Sequence, residues 1–175
     1  MIIIFFIVLV VCSYFLYLNK KGKLEIFNQY VKSWEDGRVQ ARKLIKRIGI
    51  EHLDDLIENH QYMAISILNN DELGDSKYRQ DLADGILGEC VGMKYYRSQR
   101  LSGKRDFPQI YSKEKIKEKV EKEINKEWES LKELNELYLN YKITNEYPEE
   151  HTKEINKIIE LEKSMNKNKK KYEKS

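Results

Sequence analysis

The first eighteen residues, Met1 to Leu18 (MIIIFFIVLVVCSYFLYL), constrain this chain more than any other stretch. No Asp, Glu, Lys or Arg interrupts them, and their only polar side-chain atoms belong to Cys12, Ser13, Tyr14 and Tyr17. As a helix the run would be about 27 Å long. That is close to a hydrocarbon core of about 30 Å, and local thinning of the bilayer accommodates the difference. A cleaved secretory signal needs a basic start and a small-residue cleavage site, and neither is present. A lipoprotein signal would use Cys12, yet Val11 stands where a small residue is wanted and the apolar run continues past the cysteine. The reading is therefore an uncleaved, single-pass transmembrane anchor at 1–18, a signal-anchor with the lipid bilayer as its partner.

Orientation follows from the charges beside the span. Lys20, Lys21 and Lys23 come directly after it, where they would meet the membrane surface, and no Lys or Arg precedes it. Positive charge stays on the cytoplasmic side, so the body is expected in the cytoplasm. Cys90 is the one cysteine outside the run, so no disulfide framework opposes a reducing compartment.

The net charge of +3 hides a segregation: residues 19–49 carry nine Lys/Arg against three acids, whereas 50–75 carry seven acids and neither Lys nor Arg. With 35% charged residues and two prolines, the body reads as long solvated helices. Leu24, Phe27, Val31, Trp34, Ala41, Ile45 and Ile48 predict a first helix over 23–48. Asp36-Gly37 is a possible break in it, and Gly49 its stop. Ile50, Leu53, Ile57, His60, Ala64 and Ile67 predict a second helix over 51–70. Its acids against the preceding bases predict that the two fold back antiparallel. The basic cluster Arg38, Arg42, Lys43, Lys46 and Arg47 is read as a face pairing with that acidic helix, in preference to one lying on anionic lipid.

A third helix over 76–100, capped by Asp75, carries Tyr78, Leu82, Ile86, Cys90, Met93 and Arg97 on one stripe and Gly85, Gly88 and Gly92 beside it. Three glycines weaken a helix and need a reason, and close helix packing supplies one. GECVGMK (88–94) lacks the spacing of a phosphate-binding loop. Residues 101–111 (LSGKRDFPQIY), with Gly103 and Phe107-Pro108, read as a linker and domain boundary after a cytoplasmic bundle at 19–100. Ile116, Val120, Ile124, Trp128, Leu131, Leu134, Tyr138 and Tyr141 predict a fourth helix of about 44 Å, capped by Ser112. Thr144-Asn145 turns the chain, and Pro148 opens a fifth helix bearing Ile155, Ile158, Ile159 and Met165. Together 112–166 form an antiparallel helical hairpin whose narrow apolar faces need a partner, either the first bundle or another chain. Residues 167–175 are expected to be a disordered basic tail.

Chemistry is sparse. His52 and His151 each have a carboxylate three residues on, but no third or fourth ligand converges by motif, so no metal site is assigned. His60 lies on an apolar stripe and reads as a core histidine with one hydrogen-bond partner. No nucleophile elbow is present, and Cys90 reads as a small buried hydrophobe. No catalytic residue and no cofactor are assigned, and the chain is not read as an enzyme. The basic tail is interleaved with Asn and Glu, so nucleic acid is not the expected partner.

The expected fold is thus all-α: an N-terminal transmembrane helix, a small helical bundle, and a long C-terminal antiparallel hairpin with coiled-coil character. The expected role is a membrane-anchored scaffold, adaptor or assembly factor. It would act by protein–protein contact or self-association through 112–166 and the glycine face. The alternative is an exported helical protein of envelope remodelling or lysis.

Overall fold

The computed structural model describes residues 29–103 and 113–172. The span at 1–18, the membrane-surface lysines Lys20, Lys21 and Lys23, the cap at Ser112 and most of the 101–111 linker lie outside the described residues. Among those described there are five α-helices, two single-turn 3-10 segments and no strand. None of these helices is long and apolar enough to cross a membrane.

The first helix, α1, is described over 29–48, followed by α2 (Leu53–Leu68), α3 (Ser76–Leu101), α4 (Lys113–Thr144) and α5 (Thr152–Tyr172). Their ends follow local chemistry. Gly49 takes φ +107°, a value that L side chains rarely adopt, and so closes α1. Asp75 caps α3, its carboxylate accepting the Tyr78 N–H at 2.8 Å. Asn145, at φ 61°, is the left-handed residue just past α4, and its N–H returns to the Tyr141 carbonyl at 2.7 Å. Pro148 precedes the short turn Glu149–His151 that feeds α5.

Helix α3 lies against α1, α2 and α4, and its contact with α2 is more extensive than that with α4. Helices α2 and α3 run antiparallel, since Asp54 pairs with Arg97 at one end and His60 meets Glu89 further along. Helices α1 and α3 run parallel: Gln29 donates to the Asp81 carbonyl, Ser33 meets Gly88, and Trp34 meets Gly92. One apolar core then threads the molecule. It holds Trp34 and Ala41 of α1, Leu53 and Ile65 of α2, Leu87 and Met93 of α3, Val120 and Ile124 of α4, and Ile155 and Ile158 of α5. Burying an isoleucine fully contributes about 1.5–3 kcal/mol, so the two fully buried isoleucines of α5 bind that helix firmly to the rest.

Four expectations change. The 101–111 stretch separates two helices but not two cores, because the stripes of α4 and α5 close on α2 and α3. Helix α5 packs mainly on α2, with α4 a lesser neighbour, so the hairpin is less self-contained than its short connection implies. The chain from Lys167 does not fray before 172. Helix α5 runs through Tyr172, with Asn166 accepting from Asn70 at 2.7 Å and Lys169 donating to the Glu72 carbonyl. Finally, Asp36-Gly37 does not break α1, because Gly37 is buried where α3 crosses.

Candidate functional site

Gly85, Gly88 and Gly92 all face α1. A Cβ on Gly92 would overlap the Trp34 carbonyl and come within 3.1 Å of the Arg38 backbone nitrogen; one on Gly88 would lie 2.9 Å from the Ser33 Cβ. The relation is reciprocal, because a Cβ on Gly37 would overlap the Glu89 carbonyl. Each helix therefore sets a backbone carbonyl over the other's glycine. Ser33, Gly37 and Ala41, four residues apart, make the small-residue row on the α1 side.

Beside this crossing α1, α3 and α4 diverge and leave a cavity of about 290 Å³. Trp34 of α1 and Val91 and Tyr95 of α3 form one wall, and Ile116 and Val120 of α4 form the other. The Trp34 and Tyr95 rings lie 5.5 Å apart at 59°, with the Arg38 guanidinium 4.9 Å over the indole. That stacking holds the aromatic wall in place. Lys115 and Lys119 stand one turn apart on α4, and the Lys119 ammonium lies 5.4 Å from the Tyr95 ring centroid.

The carboxylates at this site are already engaged. Glu123 pairs with Lys126 at 2.7 Å. Glu127 is 8% exposed and accepts from Lys94 at 2.6 and 2.7 Å and from Gln61 at 2.7 Å. Three helices thus meet on one buried carboxylate, which satisfies the rule that a buried charge keeps partners. The sequence reading missed it by following Ile124 with Trp128. The step of three from Ile124 and of four to Leu131 puts Glu127 on the buried row, and Trp128 turns aside to donate to Asp84 at 2.7 Å.

A second polar knot ties α1, α2 and α3. Glu89 accepts from Gln40, and its Oε2 lies 3.3 Å from Nε2 of His60. The His60 Nδ1 lies 2.9 Å from the Leu56 carbonyl. His60 therefore has two partners instead of the one expected, and both are acceptors, which suits the doubly protonated ring. Burial alone would lower its pKa. The Glu89 hydrogen bond, the Leu56 carbonyl and the Glu89 charge outweigh burial, and the net shift is upward from 6.5.

Cys90 is fully buried beside this knot, with its sulfur 3.7 Å from the Ile57 carbonyl. Burial, reinforced by the Glu127 charge, pushes its thiol well above the usual range. Burial and the Glu162 carboxylate similarly raise the Tyr138 phenol, which donates to that carboxylate. His52 and His151 sit at different places, one before α2 and the other in the turn before α5. Among the described residues no group of three His, Cys, Asp or Glu could hold a metal ion.

Of the acidic segment, Asp54 pairs with Arg97 and Asp71 with Arg79, both on α3. Arg42, Lys43, Lys46 and Arg47 are exposed on α1. Helices α1 and α2 run antiparallel, and both are fitted to α3. Set against protein-family models, curated proteins and solved structures, the chain matches none.

Proposed function

We propose that the protein is tethered to a membrane by Met1–Leu18, with its helical body in the cytoplasm, and works by protein–protein contact as a scaffold, adaptor or assembly factor. The uninterrupted apolar run in the sequence supports the tether, and the lysines that follow it support the orientation. For the contact, the apolar rows first read as partner-seeking are occupied inside the chain. The glycine face holds α1, and the 112–166 stripe closes on α2 and α3.

The observation that carries the reading is that Ile143, at 84%, is the most exposed large hydrophobic among the described residues, with Leu139, one turn before it on α4, 42% exposed. We take the end of α4 nearest the α4–α5 turn as the partner-binding part of 112–166. A photo-crosslinking residue at position 143 in membranes should give one discrete protein adduct, either with a second copy or with another protein. Leu139→Glu should abolish it. Protease added to intact cells or spheroplasts should leave the body intact if it is cytoplasmic. Absence of any adduct from 143 and 139 alike would remove the protein-contact reading, and digestion of the body would reverse the topology.

A further inference from the structure

We propose that the outer face of α1 over 39–47 docks on an anionic bilayer surface, so that α1 lies along the membrane that holds the tether. The docking rests on the tether proposed above and adds a second attachment to the same membrane.

The charge is concentrated and uncommitted. At about 100° per residue, Val39, Arg42, Lys43, Lys46 and Arg47 fall within one arc of about 140°. All five are exposed. Among the described residues none pairs with the side chain of Arg42, Lys43, Lys46 or Arg47. Asp54 and Asp71, from the acidic segment expected to take them, pair with α3 instead. Lys46 and Arg47 stand in the last turn, where the helix dipole gives a cation a local reason. Arg42 and Lys43 stand before that turn and have no such reason.

The acids of α1 do not cancel this field. Glu35 and Asp36 are exposed on the same side, with Lys32 one turn before them. At 1.5 Å of rise per residue their midpoint lies about 13 Å before that of the four bases, beyond a screening length of about 8 Å at physiological salt. From Gly37 to Ile50 the chain carries no acid. The next one, Glu51, lies past Gly49 with its carboxylate 3.9 Å from His52.

A bilayer suits this face better than other polyanions do. Val39, 48% exposed, falls between Arg42 and Lys43 on the arc, so an apolar side chain is set among the bases. At a lipid surface it enters the headgroup boundary while the long Lys and Arg stems reach the phosphates. The arc carries no aromatic ring on which a single-stranded nucleic acid could stack. Each base near an anionic surface strengthens association about fivefold, so four give roughly several hundredfold. That is too weak to recruit a free protein and enough to orient a tethered one. Residues 19–28, which join the span to the described start of α1, reach no more than about 36 Å even when extended.

The test places an environment-sensitive nitrobenzoxadiazole dye on Val39→Cys in the full chain, with Cys12→Ala to keep the label single. Discs of phosphatidylcholine are compared with discs holding about 30% phosphatidylglycerol. The anionic lipid should shift the emission to the blue and lower quenching by acrylamide about threefold, and about 0.5 M NaCl should reverse both. The same dye on Ser164→Cys of α5 should not respond. Arg42→Gln with Lys43→Gln, both at exposed positions, should lower the docked-to-free ratio about twenty-five-fold.

A dye at position 39 that is indifferent to anionic lipid, in a chain that resists alkaline carbonate in neutral liposomes, would overturn the docking and leave the tether standing. Release by carbonate would remove the tether and the docking with it. Equal protection in neutral and anionic discs, or a response untouched by the double substitution, would overturn the electrostatic contact. Protection by added RNA or polyglutamate but not by the anionic disc would overturn it too, in favour of a nucleic acid or an acidic protein.

Discussion

The two sides of α3 are joined to the rest of the molecule by different means. Toward α1 the closest approach is made by removing side chains, so that backbones meet at Gly37 and Gly92 and Ser33 seats on Gly88, with Gln29 and Gln40 adding polar ties. On the other side, α2, α4 and α5 are aligned by polar side chains placed where apolar ones would also have packed. Gln61 and Lys94 hold Glu127, Asn69 donates to Asn135 at 2.7 Å, and Asn70 donates to Asn166 at 2.7 Å. The first means tolerates no added volume. The second tolerates some, but it fixes register, because a slipped helix would leave half-buried amides, and the buried Asn70, without partners. Gln61–Glu127 and Asn69–Asn135 are both 66 residues apart, which sets α4 parallel to α2 in one register.

The sharpest way to break this contrast is Gly92→Leu. Its side chain would be driven into the Trp34 carbonyl, which cannot move aside as a flexible side chain can. The expected loss is about 3 kcal/mol or more, at or above the upper end for overpacking, with α1 displaced. Chemical unfolding followed by helical circular dichroism measures the first, and faster hydrogen exchange confined to α1 shows the second. If Gly92→Leu proved neutral, the volume argument would fail.

On the other side, Asn70→Ala should cost about 1–2 kcal/mol in the same assay. It removes the cap on the Glu72 N–H and the amide bond to Asn166 together. Asn166→Ala should couple to it in a double-mutant cycle, and simple additivity would show that the amides act separately. Lys94→Met should cost about 1 kcal/mol. Removing one partner of a buried pair is costly, but here the lysine is 44% exposed and Gln61 remains.

The knot at His60 changes with pH. Its folded pKa lies above 6.5, so protonation adds stability that is complete below the unfolded value near 6.5. That contribution is lost as pH rises through the folded value. His60→Gln should therefore lose stability relative to the native chain at pH 6, and less of it at pH 9. A difference between the two proteins that does not change with pH would remove the imidazolium from the account. The smallest effect belongs to Ser66→Ala: the Ser66 hydroxyl is fully buried with no hydrogen-bond partner, so its removal should change stability by no more than about 0.5 kcal/mol, or improve it slightly.

How far the sequence could be read depended on whether a residue was anomalous in its local setting. Three glycines inside one helix pattern were conspicuous, and in the structure they face α1, Gly92 against its backbone and Gly85 and Gly88 against the Ser33 side chain. Gly37 carried the same information but stood next to Asp36, a good cap, and the local signal for a stop concealed the tertiary one. Asp75 and Asn145 were legible because capping and left-handed geometry are decided within a few residues. Glu127 was not, since a carboxylate among many Lys and Glu on α4 looks solvated until Lys94 and Gln61 arrive from other helices. The antiparallel setting of α1 and α2 agrees with the charge segregation, but oppositely charged blocks do not specify that α3 comes to contact both. The cavity left no trace at all, because it is made by the divergence of three helices that are far apart in the chain.

The parallel run of α1 beside α3 also has a mechanical side. A pull on the chain from its amino end travels along α1. Because the two helices lie side by side and point the same way, that load slides one backbone along the other instead of peeling the helices apart residue by residue. The interlocked carbonyls of Trp34 and Glu89 then act as a ratchet tooth seated in a notch on each helix, so traction on the leading end is resisted across the seam at once.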